Sequence, residues 1–272
     1  MSADTEKTDI TKKRVVLDLP GTDAVTVQRD IPCKVVDGEA LTLDLYYPPG
    51  WSGGARTPAV LFVTGYSDVG MQAMLGCKAK EMASYASWAE LVAASGMIGI
   101  TYEARQPAAD VQAVLQHMRH HAGSLGLDEG RIGVWACSGN VPNALSVLMQ
   151  DARDPVACAV LCYGYMLDFD GSTAVADAAA TFRFAHPCAG RSLDDLARDL
   201  PLFIVRAGRE EMPRLNESID RFVSRALQLN LPIAVANHPQ GPHAFDLHDD
   251  SETSRQIIRE ILTFMQCHLR AA

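Results

Sequence analysis

Apolar positions along the chain follow two rhythms. Residues 24–36 (AVTVQRDIPCKVV) and 41–50 (LTLDLYYPPG) are β-rich and separated by the turn residues of DGEA. In the second stretch Leu41, Leu43 and Leu45 alternate with Thr42, Asp44 and Tyr46, the period of a half-exposed, antiparallel strand. Beyond residue 58 the apolar runs become short and nearly continuous: PAVLFVTG (58–65), MIGITYEA (97–104), RIGVWAC (131–137), VACAVLCYG (156–164), PLFIVRAG (201–208) and PIAVANHP (232–239). Such runs suit parallel strands covered on both faces.

Helical periodicity fills the intervals. Val111, Val114, Leu115 and Met118 form one stripe; Val141, Ala144, Leu145, Leu148 and Met149 form another, with Pro142 tolerated in the first turn. Two more are Ile219, Phe222, Val223, Ala226, Leu227 and Ile257, Ile258, Ile261, Leu262, Met265. Strand–helix alternation predicts an α/β fold built on a parallel sheet with right-handed crossovers. We expect a flexible tail over 1–13 and one domain over 14–272. The Ala-rich excursion at 165–200 is too long for a simple connection and suggests a small cap.

Composition narrows the function classes. A chain of 272 residues, 48% hydrophobic and 21% charged, reads as an ordinary globular protein. Its net charge of −9 argues against nucleic-acid and anionic-membrane partners, both of which need a basic surface. The N-terminal stretch MSADTEKTDITKKR has no apolar core of a signal peptide, and no run is long enough to span a membrane. Seven cysteines without a CxxC pair read as reduced thiols, which implies the cytoplasm. Dispersed glycines form neither a dinucleotide fingerprint nor a Walker loop, so no cofactor is expected. No metal is expected either: His117 and His121 are spaced i, i+4, but no third ligand run accompanies them. Oligomeric state is not fixed by the sequence; a homodimer is compatible with it.

The strand RIGVWAC ends in Ala136-Cys137-Ser138-Gly139-Asn140 and runs on into a helix. In parallel α/β sheets ligands bind outside the carboxyl ends of the strands, where Ser138 stands. The pattern resembles the nucleophile elbow of the α/β-hydrolase family, small-x-nucleophile-x-small on a sharp strand-to-helix turn. Asn140 departs from the usual glycine of the last position. Were Cys137 the nucleophile, the bulky Trp135 would fill the first small position, so Cys137 reads as packing. The plain alternative for Ser138 is a helix N-cap.

The resemblance spans residues 40–268 and rests on further motifs in the family's order. AGREEMP (207–213) is similar to the acid turn, which implies Glu210 as triad acid with Glu211 as rival. NHPQGPHAF (237–245) is similar to the histidine loop, which implies His243 as base and leaves His238 at a strand end. VTGYSD (63–68) resembles the loop after the third strand of acetyl xylan esterase-like hydrolases, with Thr64 where the family often has histidine. It implies an oxyanion hole from the backbone N–H groups of Tyr66 and Gly139; as alternatives, Tyr66 is a binding-site wall or packing. Closest are the dienelactone hydrolase-like and acetyl xylan esterase-like branches. The resemblance implies an α/β-hydrolase fold, a mostly parallel sheet of about eight strands with helices on both faces. It further implies a Ser-Glu-His serine hydrolase cleaving a small carboxylic ester through an acyl-enzyme. Two alternatives stay open: a non-catalytic binding protein on the same fold, and an acyltransferase or amidase with the same triad.

Overall fold

The computed structural model describes residues 9–54, 56–149 and 156–270. Eight strands make one sheet: β1 (Thr26–Val36), β2 (Glu39–Tyr47), β3 (Thr57–Phe62), β4 (Ile98–Tyr102), β5 (Leu127–Cys137), β6 (Cys158–Cys162), β7 (Leu202–Arg209) and β8 (Ile233–Pro242). Their spatial order is β1-β2-β4-β3-β5-β6-β7-β8. The alternating stretch at the start is an antiparallel hairpin that pairs antiparallel with β4 through Leu43–Tyr102 and Tyr46–Gly99. Every later neighbour pairs parallel.

Nine α-helices occur among the described residues: α1 (Asp68–Leu75), α2 (Ala83–Ala94), α3 (Pro107–His120), α4 (Ala122–Leu125) and α5 (Val141–Leu148) come first. The chain continues with α6 (Ala174–Phe182), α7 (Leu215–Gln228), α8 (Phe245–His248) and α9 (Glu252–His268). The stripes read from the sequence are their buried faces, except that Leu227 at the end of the α7 stripe is exposed. Val111 and Leu115 of α3, Leu145 of α5 and Ile219 and Phe222 of α7 pack on one side of the sheet with Leu61 and Val134. Trp88 of α2 and Ile258, Ile261 and Met265 of α9 pack on the other side with Val60, Phe62 and Trp135. Successive strand residues therefore feed opposite cores, which is why these runs are apolar throughout. The chain has the α/β-hydrolase fold expected.

Three segments differ in detail from the sequence reading, the first being β2, expected half-exposed, where Asp44 and Tyr46 of the supposedly open face are buried beside Leu43 and Leu45. Residues 1–8 of the expected tail lie outside the described ones, but Ile10–Lys12 forms a 3-10 turn and Lys13 Nζ hydrogen-bonds His248 Nδ1 at 2.7 Å. Val15 and Leu17 are buried. The 165–200 excursion contributes α6 and then returns across the top of the sheet, where the Ala185 N–H donates to the Gly65 carbonyl at 2.7 Å. Among the described residues no helix is long and apolar enough to cross a membrane, and no group of three His, Cys, Asp or Glu side chains could hold a metal ion.

Candidate active site

Ser138 follows directly on β5 and sits at φ +55°, the left-handed region that L-residues enter only under constraint. The turn can be this sharp because its neighbours carry no bulk. A Cβ on Gly164, just past β6, would lie 2.3 Å from Val141 Cγ2 and 2.5 Å from the Ser138 carbonyl, so only glycine lets the two strand ends meet. Ser138 does not cap α5 by its side chain; a short 3-10 turn, Ser138–Asn140, leads into the helix with Pro142 in its first turn.

Glu210 follows β7 and His243 follows β8, so both project from the same edge as Ser138. His243 Nε2 lies 2.9 Å from Ser138 Oγ, and His243 Nδ1 hydrogen-bonds Glu210 Oε2. The Glu210 side chain is 1% exposed, and its other oxygen accepts the Met212 N–H at 2.9 Å, so the carboxylate is fixed at both ends. Glu211 points to solvent. Sequence left these two acids open; the structure brings only Glu210 to the imidazole.

Beneath the histidine lies a group that sequence reasoning missed. Tyr163 sets its ring edge against His243, with centroids 5.2 Å apart. Its hydroxyl donates to Asp246 Oδ1 at 2.5 Å, and Trp88 Nε1 donates to Asp246 Oδ2 at 2.7 Å. Burial raises the Asp246 carboxyl above its usual range, against the hydrogen bonds from Tyr163 and Trp88 that lower it. The only sequence signal was an acid one residue past the His-Ala-Phe motif, in a segment otherwise set for packing.

Cys137 is half-buried and packs against the core on this side of the sheet. Burial, helped by the charge of Asp246, pushes its thiol up to about 12, so it carries no thiolate at neutral pH. His238 is buried on β8, with Nε2 3.0 Å from Ser254 Oγ and 2.9 Å from Asp249 Oδ2, tying the strand to the start of α9. His117 in the last turn of α3 and His121 just after it lie with ring centroids 4.4 Å apart, and among the described residues no third ligand completes a metal site with them.

The loop after β3 lies against the elbow. Asn140 Oδ1 accepts the Gly65 N–H at 2.7 Å, and Asn140 Nδ2 donates to Tyr85 Oη at 2.9 Å. Asn143 Nδ2 donates to the Thr64 carbonyl at 2.7 Å. The position that departs from the family's glycine thus fastens the elbow to the neighbouring loop. The Tyr66 N–H, expected at the oxyanion, donates to Thr64 Oγ1 at 3.2 Å. Phe184, from the excursion, is buried over the elbow, stacked on Tyr165 at 5.8 Å and edge-on to Tyr66 at 6.3 Å. No periodicity in the 165–200 sequence singled it out.

No protein-family model matches the chain, and no curated protein sequence does either. Solved structures do. A bacterial heroin esterase superposes with TM-score 0.65 at 19% identity, over 94% of this chain and 88% of the other. The esterase LipW from Mycobacterium marinum gives TM-score 0.68 at 16% identity, over 91% and 83%. The thermophilic esterase Est2 from the Planctomycetes species Thermogutta terrifontis, with propionate bound, gives 0.65 at 18% identity, over 93% and 98%. At these identities the likeness establishes the fold.

Proposed function

We propose that the protein is a serine hydrolase cleaving a small carboxylic ester through an acyl-enzyme. One observation carries this reading: Ser138, strained at a strand-to-helix turn, is hydrogen-bonded at 2.9 Å to an imidazole that a buried carboxylate holds from the other side. A helix cap or a packing serine needs no such base, and a buried carboxylate aimed at the far nitrogen is what fixes the tautomer of a general base. That three of the neighbouring structures are esterases supports the ester as substrate class.

In the proposed reaction Ser138 Oγ forms a bond to the acyl carbon as His243 Nε2 takes its proton. The carbonyl electron pair moves onto oxygen, where the Gly139 N–H and Tyr66 stabilise it. When the pair returns, the C–O bond to the alcohol breaks, and the imidazolium protonates the leaving alkoxide. Water then adds to the acyl-enzyme with His243 again as base, releasing the acid and restoring the Ser138 hydroxyl. Glu210 orients the imidazole and stabilises its cation without taking the proton.

The Thr64-Gly65-Tyr66 loop and the short cap favour the dienelactone hydrolase-like and acetyl xylan esterase-like branches. All seven cysteines are free, in keeping with a reducing cytoplasm. The test is Ser138→Ala with labelling by a fluorophosphonate. Loss of p-nitrophenyl acetate hydrolysis and of label at residue 138 is expected; native turnover by the alanine variant would refute the assignment.

A further inference from the structure

Each backbone N–H of the loop at 64–66 is already engaged. Thr64 donates to Tyr102 Oη at 3.3 Å, Gly65 to Asn140 Oδ1 at 2.7 Å and Tyr66 to Thr64 Oγ1 at 3.2 Å. The carbonyls are held too, Thr64 by Asn143 Nδ2 and Gly65 by the Ala185 N–H, both at 2.7 Å. Asn140 is buried and braced against Tyr85 at 2.9 Å, so the loop cannot turn its N–H groups outward without breaking several bonds at once. Leaving one such buried donor or acceptor unmet costs about 1–3 kcal/mol.

The Tyr66 side chain is placed differently. A Cβ built on Gly139, the residue after the nucleophile, would lie 2.5 Å from the Tyr66 hydroxyl oxygen and 2.8 Å from Phe184 Cδ1. The absent side chain of Gly139 is therefore the space in which this hydroxyl sits. Phe184 holds the phenol edge-on at 6.3 Å and is itself stacked on Tyr165. Among the described residues no hydrogen bond engages the Tyr66 hydroxyl.

We propose that the side-chain hydroxyl of Tyr66, in place of its backbone N–H, is the oxyanion donor that works beside the Gly139 N–H. The assignment rests on the proposed serine-hydrolase reaction. As Ser138 Oγ bonds to the acyl carbon and the carbonyl pair shifts to oxygen, the Tyr66 O–H donates a hydrogen bond to that oxygen and keeps its proton. When the pair returns and the leaving group departs, the bond relaxes. Burial, reinforced by the neighbouring Cys137 and Tyr165, pushes the phenol up to about 12, so it is a neutral donor across the working range. A donor that meets the oxygen only once charge develops stabilises the transition state more than the bound ester. Asn140 acquires a purpose on this view: by taking the Gly65 N–H it locks the loop so that the ring, not the backbone, faces the reacting oxygen.

Tyr66→Phe keeps the backbone and the ring and removes one oxygen, so it separates the two donors. With p-nitrophenyl acetate, kcat should fall about 10²–10³-fold, the size of losing one oxyanion donor, while KM stays within about threefold. Affinity for a trifluoromethyl ketone, whose hemiketal oxygen bears the charge of the intermediate, should fall by about tenfold or more in parallel. The pH–rate profile between about pH 6 and 9 should keep its shape, because the lost group does not titrate there. Three results overturn the assignment. They are kcat and ketone affinity within about threefold of native, a rise in KM alone, and a changed pH profile at unchanged ketone affinity. Ser138→Ala, assayed alongside, separates this failure from the larger one. An inactive alanine variant with an active Tyr66→Phe enzyme leaves the triad standing and returns the role to the backbone. An active alanine variant removes the hydrolase reading itself.

Discussion

His243 Nε2 approaches Ser138 Oγ to 2.9 Å although 105 residues separate them in the chain. The contact exists because β5 and β8 run parallel in one sheet and end at the same edge, with β6 and β7 between them. Loops leaving that edge carry the serine, the carboxylate and the imidazole within reach of one another. The helices beneath them are set by two separate apolar cores.

The two adjacent glutamates should separate cleanly. Glu210→Gln retains shape but leaves the imidazole without an anion to fix its tautomer, and kcat should drop by about 10²–10⁴. Glu211→Gln, at an exposed position, should change kcat by no more than about threefold. Steady-state hydrolysis of p-nitrophenyl acetate by both variants checks the pair.

Cys137 should be chemically silent. With its thiol near 12 from burial, almost none is ionised at about pH 8, so iodoacetamide should leave it unmodified while the exposed Cys267 is alkylated. Peptide mass spectrometry reads this directly. Cys137→Ala should keep kcat within about threefold, whereas a large loss would revive the cysteine as nucleophile.

Asn140→Ala would leave the Gly65 N–H and the Tyr85 hydroxyl without their partner. A cost of about 1–3 kcal/mol is expected, a lowering of Tm by about 2–10 °C in a chain of this size. Thermal unfolding followed by circular dichroism measures it, and kcat should fall with the loosened loop while KM changes little.

Lys80 anchors a buried charge cluster between the hairpin and the segment after β4. Its ammonium donates to Asp30 at 2.6 Å, Thr42 at 2.8 Å and Asp44 at 3.0 Å, with Glu103 3.6 Å away, and the lysine is 4% exposed. Burial alone would lower its pKa, but the hydrogen bonds to Asp30 and Asp44 outweigh that and raise it above the ordinary 10.5. A raised lysine contributes stability that is whole below its unfolded value and is lost as pH climbs through the folded one. Alkaline destabilisation from this lysine should therefore begin above about pH 10.5, and the fall in stability from about pH 10 upward should be shallower in Lys80→Met, where Lys78 and the buried tyrosines still contribute. That variant leaves Asp44 and Glu103 buried without their cation and should lose about 3–5 kcal/mol, read from urea unfolding at neutral pH.

Some of this was written in local patterning. All eight strands and the helices α3, α5, α7 and α9 follow from runs and stripes, because burial on one face or two imposes a period on the residues themselves. Helix α2 gave no such signal. Tyr85, Ser87, Trp88, Ala89, Leu91 and Val92 are buried around much of its circumference, and a helix wrapped on most sides has no stripe to read. Ser138, Glu210 and His243 were legible as candidates because each stands where a strand ends among turn residues.

The sequence by itself determined the strands, the order of the motifs and the residue types able to carry acyl transfer. Only the tertiary structure brought Glu210 rather than Glu211 to the imidazole, packed Cys137 half-buried against the core, and set Phe184 and Asp246 around the elbow. It also turned Asn140 from a departure into a clamp and engaged the Tyr66 N–H elsewhere. The division has a physical cause. Periodicity records which face of an element meets the core, a local property, whereas the partner of a particular N–H or carboxylate depends on chain segments up to a hundred or more residues away.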